Sequence, residues 1–325
     1  IYTALEMKTN THLVLCDIKK AYDSVWHDGL LYKLANKDFI GIKGPFIKII
    51  DSFLSSRLTR IQLKNGKSKW RKQHIGLPQG SSLSPLLYIL FTNDHKILYP
   101  KFNRVGLFAD DTAFWTIPGQ KNRQRYEYLQ KELNHFNEWC KKWKIRINHT
   151  KSKAIEFNKT NAYQNKYNIH KFKYSFDNIH YLDFTDKIKY LGLTIDKDLN
   201  FKAHTEKVKK STTKTLYQIY YLKKRNMRFH PQSIAILYKS KGRSRIEYGA
   251  QFYASKNMKI LKRIQNRFIR ACYNIPLSTP IDQLQLFTLT EPIDLRIEHQ
   301  INKQYIKALY APEQHPAHQA LSIYK

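Results

Sequence analysis

Acidic residues are scarce: 25 Asp and Glu face 57 Lys and Arg, leaving a formal charge of +32 and a pI near 9.9. An excess of that size repels itself unless a polyanion neutralises it, so nucleic acid is the leading partner. Cysteine is nearly absent. The three, Cys16, Cys140 and Cys272, are odd in number and far apart, which argues for a reducing compartment and against a disulfide framework or a Cys-based zinc site. The longest apolar run, Leu86 to Phe91, falls far short of the roughly 20 residues of a membrane span, and Ile1-Tyr2-Thr3 carries no signal-like n-region. No membrane partner is expected. No Met opens the chain, which reads as a piece of something longer. What is present excludes a disordered tail: 325 residues, 42% hydrophobic and 14% aromatic, fill one large domain or two modest ones.

Thr11 to Asp17 reads as a buried strand ending on a carboxylate, with Asp23 and Ser24 supplying N-cap chemistry for a helix to about Asp38. Gly44-Pro45 opens a second helix. Leu58 to Lys64 and Trp70 to Ile75 predict a hairpin around Asn65-Gly66. The loop Gly76 to Pro85 feeds an apolar helix from Leu86 to about Ile97. Val105 to Ala109, Asp110-Asp111 and Thr112 to Trp115 predict a hairpin with acids at its tip. A helix from about Lys121 to Lys142 follows, then strands at Lys144 to Ile147, Ala154 to Phe157 and Lys189 to Ile195. From Phe201 the pattern is helical, at about 201–224, 230–242, 256–273, 280–288 and 291–310, with a domain boundary near residue 198. Between 201 and 274 stand 19 Lys/Arg against Glu206 and Glu247, so about +17 of the charge lies in under a quarter of the chain. That density marks an electrostatic footprint for a polyanion.

Asp17 ends one strand and Asp110-Asp111 another; if those strands are neighbours, three carboxylates converge and can hold a hard cation such as Mg²⁺. Acids at a hairpin tip also serve as plain turn residues. Their apolar flanks favour the metal, because unpaired charge beside a core is costly. Asp23 reads as a helix cap. The backbone amides of Lys20-Ala21-Tyr22 could receive a triphosphate, while Tyr22 alone serves equally as packing.

Three segments then resemble, in order and spacing, the signature motifs of reverse transcriptases of non-LTR (LINE-type) retrotransposons, nearest the jockey-like group. They are Asp17 to Asp23 with Val25-Trp26-His27, Gly76 to Pro85, and Phe108-Ala109-Asp110-Asp111. Trp143 to Lys151, Ile188 to Leu193, Arg245 to Gly249 and Ile264 to Arg267 agree as well. The resemblance implies an α+β palm, a small antiparallel sheet backed by helices with a remnant of fingers, over 1–198, followed by an all-α thumb and C-terminal helical region over 199–325. It implies RNA-directed DNA polymerisation, with two Mg²⁺ ions, or Mn²⁺ in their place, on Asp17, Asp110 and Asp111. Lys20, Ala21, Tyr22, Pro78, Gln79, Gly80 and Lys151 would bind the nucleotide. Tyr22 would exclude a 2′-hydroxyl, Gln79 would touch the template base, and Lys151 is either a proton donor to pyrophosphate or a solvated lysine. Tyr190, Leu191 and Gly192 would press on the primer end. Lys207, Lys210, Lys223, Lys224, Arg225, Arg263 and Arg267 would track the nucleic-acid backbone. Partners implied are an RNA template, a DNA primer or target DNA, and dNTP; the location implied is intracellular, nuclear with a cytoplasmic ribonucleoprotein stage.

Two departures stand against the family pattern. Only 16 residues precede Asp17, so the fingers are expected to be largely missing, and nothing resembles an upstream endonuclease. The 325 residues alone are therefore expected to bind primed nucleic acid but extend it poorly. The competing reading is a truncated or decayed element product that binds nucleic acid without catalysis. An intron-encoded relative fits the segments after residue 245 less well.

Overall fold

In a computed structural model the residues described are 10–117, 122–157, 173–177, 179–224, 230–273, 275–313, 315 and 317–318, without the side chains of Leu222, Lys223, Pro231, Ile234 and Cys272. The fold is mixed α+β and divides into two compact units at Gly192/Leu193.

The first unit is built on a five-stranded sheet. Its strands are β1 (Thr11–Asp17), β6 (Asn103–Phe108), β7 (Asp111–Thr116), β8 (Lys153–Phe157) and β9 (Asp183–Phe184), in the order β6-β7-β1-β8-β9. Every pairing is antiparallel except β8 with β9, so the sheet is mixed at one edge rather than wholly antiparallel. On β1 and its neighbours, Val14, Cys16, Phe114 and Ala154 form one alternate set. They bury against α1 (His27–Ala35), α3 (Leu83–Thr92) and α4 (Asn122–Lys142) through Leu30, Leu34, Leu87, Phe91, Leu129, Leu133 and Phe136. Helix α4 does this because its apolar residues recur at helical spacing. Asp17 and Asp111 belong to the other set and face away from that helix layer.

Local chemistry departs from the sequence pattern at several points. Asp23 and Ser24 do not cap α1; they lie in a 3₁₀ turn, Tyr22–Ser24, and α1 starts after Trp26 without a side-chain cap. The amphipathic α2 (Pro45–Leu54) follows Gly44 as expected. The 58–75 region forms two-residue strands, β2 (Leu58–Thr59) with β5 (Arg71–Lys72) and β3 (Gln62–Leu63) with β4 (Gly66–Lys67). The tip is Lys64-Asn65, one residue earlier than expected. Residues 144–147 make only an isolated bridge, Ile18 to Ile147. The strand expected over 189–195 breaks into β10 (Lys187–Tyr190) and β11 (Leu193–Asp196), because Leu191 and Gly192 turn left-handed at φ 44° and 82°.

The second unit is helical: α5 (Lys202–Lys224), α6 (Pro231–Leu237), a π-helical turn (Tyr238–Arg243) running into a short helical turn (Ser244–Glu247), α7 (Ala250–Tyr273), α8 (Ile281–Thr288) and α9 (Ile293–Leu309). Helix α7 is its axis, burying Tyr253, Leu261, Phe268 and the fully buried Gln265. Gln265 donates to the Glu291 carbonyl at 2.8 Å and accepts from the Ile293 N–H at 2.9 Å, which fixes where α9 begins. Gly249, at φ 68°, cannot be replaced without strain, since an added Cβ would stand 2.6 Å from Leu193.

Candidate active site

The site is assembled at one end of the first unit's sheet. Strands β1 and β7 pair with Asp17 directly opposite Asp111, which sets both side chains on one face with Cβ atoms about 4.5–5.5 Å apart. Asp110 precedes Asp111 in the two-residue turn Ala109-Asp110 that joins β6 to β7. Ala109 is left-handed at φ 51°, a strain of roughly 1–2 kcal/mol for a residue with a Cβ. Strain of this kind persists where the surroundings impose it.

Asp17 is held on every side. Its N–H donates to Ser152 Oγ at 3.1 Å, its carbonyl accepts from the Asn148 N–H at 2.8 Å, and its Oδ2 accepts from Asn148 Nδ2 at 2.8 Å. Ser152 Oγ in turn donates to the Asn148 carbonyl at 2.9 Å. Asn148 is the residue that sequence reasoning left without a role; its position within the Trp143 to Lys151 motif was the available signal. Burial raises the Asp111 carboxyl above its ordinary range, and the negative charges of Asp110 and Asp17 raise it further, against the pull of Lys189. A carboxyl raised by neighbouring negative charge is what a dication would relieve. Tyr190 stands near the same group: burial raises its phenol, and the Asp111 charge adds to the effect.

Beyond Asp17 the chain turns through Lys20, exposed at φ 50°, and the buried Ala21. The half-buried Tyr22 ring stacks on the fully buried Tyr88 with centroids 4.9 Å apart and planes 25° from parallel. The loop that begins at Gly76 docks onto this turn. Leu77 N–H donates to the Tyr22 carbonyl at 2.7 Å and Gly76 N–H to the Val25 carbonyl at 2.8 Å. Gln79 Nε2 donates to Asp23 Oδ1 at 2.8 Å, and this bond is what Asp23 does in place of capping a helix. Gly76 is required here: it sits at φ 84°, and a Cβ would lie 2.6 Å from the Asp23 carbonyl oxygen. The half-buried Pro78 accepts a hydrogen bond from Ser84 Oγ at 2.7 Å, and Gly80 turns at φ 88°. Lys151 is exposed in the turn after Asn148.

This arrangement lies inside a recognised pattern. Residues 2–195 match the family described as reverse transcriptase (RNA-dependent DNA polymerase). The chain belongs to that family. It is similar to the probable RNA-directed DNA polymerase from transposon BS of Drosophila melanogaster, 28% identical over 90% of this chain and 33% of that protein. The polymerase from mobile element jockey of Drosophila funebris is 33% identical over 62% of this chain and 21% of its own length, and that of Drosophila melanogaster 28% identical over 84% and 29%. The chain thus spans about a third or less of the curated relatives it matches. Its resemblance to jockey-like, non-LTR elements holds across both units. Among solved structures, apo telomerase from Candida tropicalis superposes with a TM-score of 0.42 at 14% identity, over 87% of this chain and 43% of that one.

In the second unit, Lys207, Lys210 and Lys224 are exposed on α5, and Arg263 and Arg267 on α7. The two arginines, with Lys209, Thr213, Leu216, Ile264 and Phe268, line a groove of about 160 Å³ between these helices. Arg225 and the Lys223 side chain lie outside the described residues. No helix among the described residues is long and apolar enough to cross a membrane.

Proposed function

We propose that the protein carrying this chain is an RNA-directed DNA polymerase of a jockey-like, non-LTR element, adding dNTPs to a primer 3′-hydroxyl on an RNA template. The observation that carries this reading is Asp17 set opposite Asp111 with Asp110 in the adjoining turn, inside the matched family segment. Three carboxylates offer only hard oxygen donors, a set that fits Mg²⁺, and equally Mn²⁺, with water and phosphate completing the shell. Bound there, the metal supplies Lewis-acid neutralisation of phosphate charge and a more acidic primer hydroxyl.

The chain's own residues do the rest. Asn148 and Ser152 hold Asp17 in place. Lys20, Ala21 and Tyr22 receive the nucleotide, and Tyr22, backed by Tyr88, stands under the sugar and excludes a 2′-hydroxyl. Pro78, Gln79 and Gly80 line the base side of the pocket, tied to it through Asp23. Lys151 serves the triphosphate, and Tyr190, Leu191 and Gly192 press on the primer end. Residues 1–198 are the palm and 199–325 the thumb with a helical extension. The same reading includes a nuclear site of action with a cytoplasmic ribonucleoprotein stage. A primer-extension assay with the full protein, oligo-primed RNA, dNTPs and Mg²⁺ tests it. cDNA synthesis is expected; binding without extension favours a nucleic-acid-binding product.

Tyr22→Ala is expected to raise ribonucleotide incorporation relative to dNTP by about 10–100-fold, the range that shape rejection of one hydroxyl supplies. Competition between rNTP and dNTP in the same assay reads this ratio. An equal fall of both marks Tyr22 as packing.

Neutralising Lys207, Lys210, Lys224, Arg263 and Arg267 together is expected to flatten the slope of log affinity against log salt by about 0.9 for each phosphate no longer neutralised. Fluorescence anisotropy of a labelled template–primer across a salt series measures it. An unchanged slope puts the duplex elsewhere.

A further inference from the structure

Strands β8 and β9 run parallel, with Lys153 opposite Asp183, so the segments leading into them lie at the same end of the sheet. His149 precedes β8, and Asp177 and His180 precede β9. Asp177 Oδ1 accepts from the N–H groups of Ile179 and His180 at 3.0 and 2.8 Å, which pins the carboxylate. Its Oδ2 lies 2.7 Å from His180 Nδ1 and 3.8 Å from His149 Nε2. One donor atom from each of the three residues falls within 4.8 Å of the others. The imidazoles stack with centroids 4.7 Å apart, Phe176 backs His149 edge-on, and His149 Nδ1 is buried with no hydrogen-bond partner among the described residues.

A tetrahedral zinc ion with bonds of about 2.0–2.1 Å holds its donors roughly 3.3 Å apart, and the two measured spacings bracket that value. Two imidazoles and a carboxylate suit a borderline dication rather than Mg²⁺, which prefers oxygen throughout. We propose that His149, Asp177 and His180 bind a zinc-class divalent cation, with water completing the shell, and that the ion clips the segment before β8 to the segment before β9. The protonation states agree with the geometry. Burial lowers the His149 imidazole towards its neutral form, His180 and Lys19 add to that, and Asp177 opposes it. Burial resists ionisation of Asp177, but the donors on His180 and Ile179 outweigh it and hold the carboxylate well below its usual range. Because Asn148 is the neighbour of His149 and donates to Asp17, the clip would steady the residue that orients a carboxylate of the polymerase site.

The metal-free 325-residue chain, titrated with Zn²⁺ against a chromogenic chelator and with Co²⁺ as a spectroscopic probe, tests this. One equivalent should bind tightly, give the visible bands of tetrahedral Co²⁺, and raise Tm. His180 is 59% exposed, so His180→Gln spares the core. It should weaken Zn²⁺ binding by more than about 10–100-fold, the loss common even for an outer-sphere partner, and abolish the Tm rise. His149→Gln should do the same, while Asp110→Asn keeps the site. Undiminished binding in the double His149→Gln/His180→Gln variant overturns the proposal. So does loss of the site in Asp110→Asn, which would move the ion to the polymerase carboxylates.

Discussion

In the full protein, Asp110→Asn is expected to abolish primer extension, by about 10³-fold or more, while template–primer affinity stays nearly unchanged. The side chain keeps its shape and loses only its charge. Asp110 is exposed at the tip of the β6–β7 turn, so the core packing is untouched by the substitution. On the proposed reading one of three negative oxygen donors to a dication would disappear, a contribution of several kcal/mol to phosphoryl transfer and so of about three decades in rate. The same reading has the duplex held by the lysines and arginines of α5 and α7, which the substitution leaves in place. Single-turnover extension and anisotropy on one preparation separate the two quantities. A parallel loss of affinity would show that Asp110 supports the turn rather than the reaction.

Lys33→Ala is expected to destabilise the first unit by roughly 3–5 kcal/mol, the usual cost of orphaning one member of a buried ion pair. The Lys33 side chain is fully buried. Its Nζ donates to Asp94 Oδ1 at 2.5 Å and to the Phe91 carbonyl at 2.6 Å, and lies 3.7 Å from the centre of the Trp143 ring and 4.9 Å from that of Trp139. Removal leaves Asp94 with the Trp139 indole N–H as its remaining described donor, at 3.2 Å, and opens a void among aromatic rings. Burial pulls the Lys33 ammonium down to about 8 despite Asp94, below the unfolded value of 10.5. The unfolded chain therefore binds the proton more tightly, and the contribution of this group makes the fold more stable as pH rises from about 8 towards 10.5. Urea denaturation at pH 7 and pH 9.5 checks both statements: the wild-type gain with pH should vanish in Lys33→Ala. A loss under 1 kcal/mol would mean that water reaches Asp94.

Much of the architecture was legible in the sequence because it is local. The 3.6-residue period marked α4, α5, α8 and α9 to within a residue or two, since an amphipathic helix writes its buried face into its own sequence. Asp17 at a strand end and the paired acids at the β6–β7 hairpin were equally visible, although the turn itself is Ala109-Asp110 and Asp111 already belongs to β7, as was the basic density of 201–274. Elements that depend on a distant partner were not. That Asp23 would bind Gln79, 56 positions away, and leave α1 uncapped follows from the docking of the Gly76 loop. The break at Leu191-Gly192 lies within a run that reads as one strand.

By itself, the sequence determined the inventory: three acids beside apolar strands, the motif order that marks a reverse transcriptase, and a net charge of +32. Only the tertiary structure decided the register that puts Asp17 opposite Asp111 and the hydrogen bond that gives Asn148 its task, 131 positions from its partner. It also decided the parallel β8–β9 pairing that brings His149 to Asp177 and His180. The physical reason is that strand pairing uses backbone groups every residue shares. A one-residue slip would turn Asp17 to the opposite face, and what prevents it is the burial of Val14, Cys16 and Phe114 against helices far along the chain.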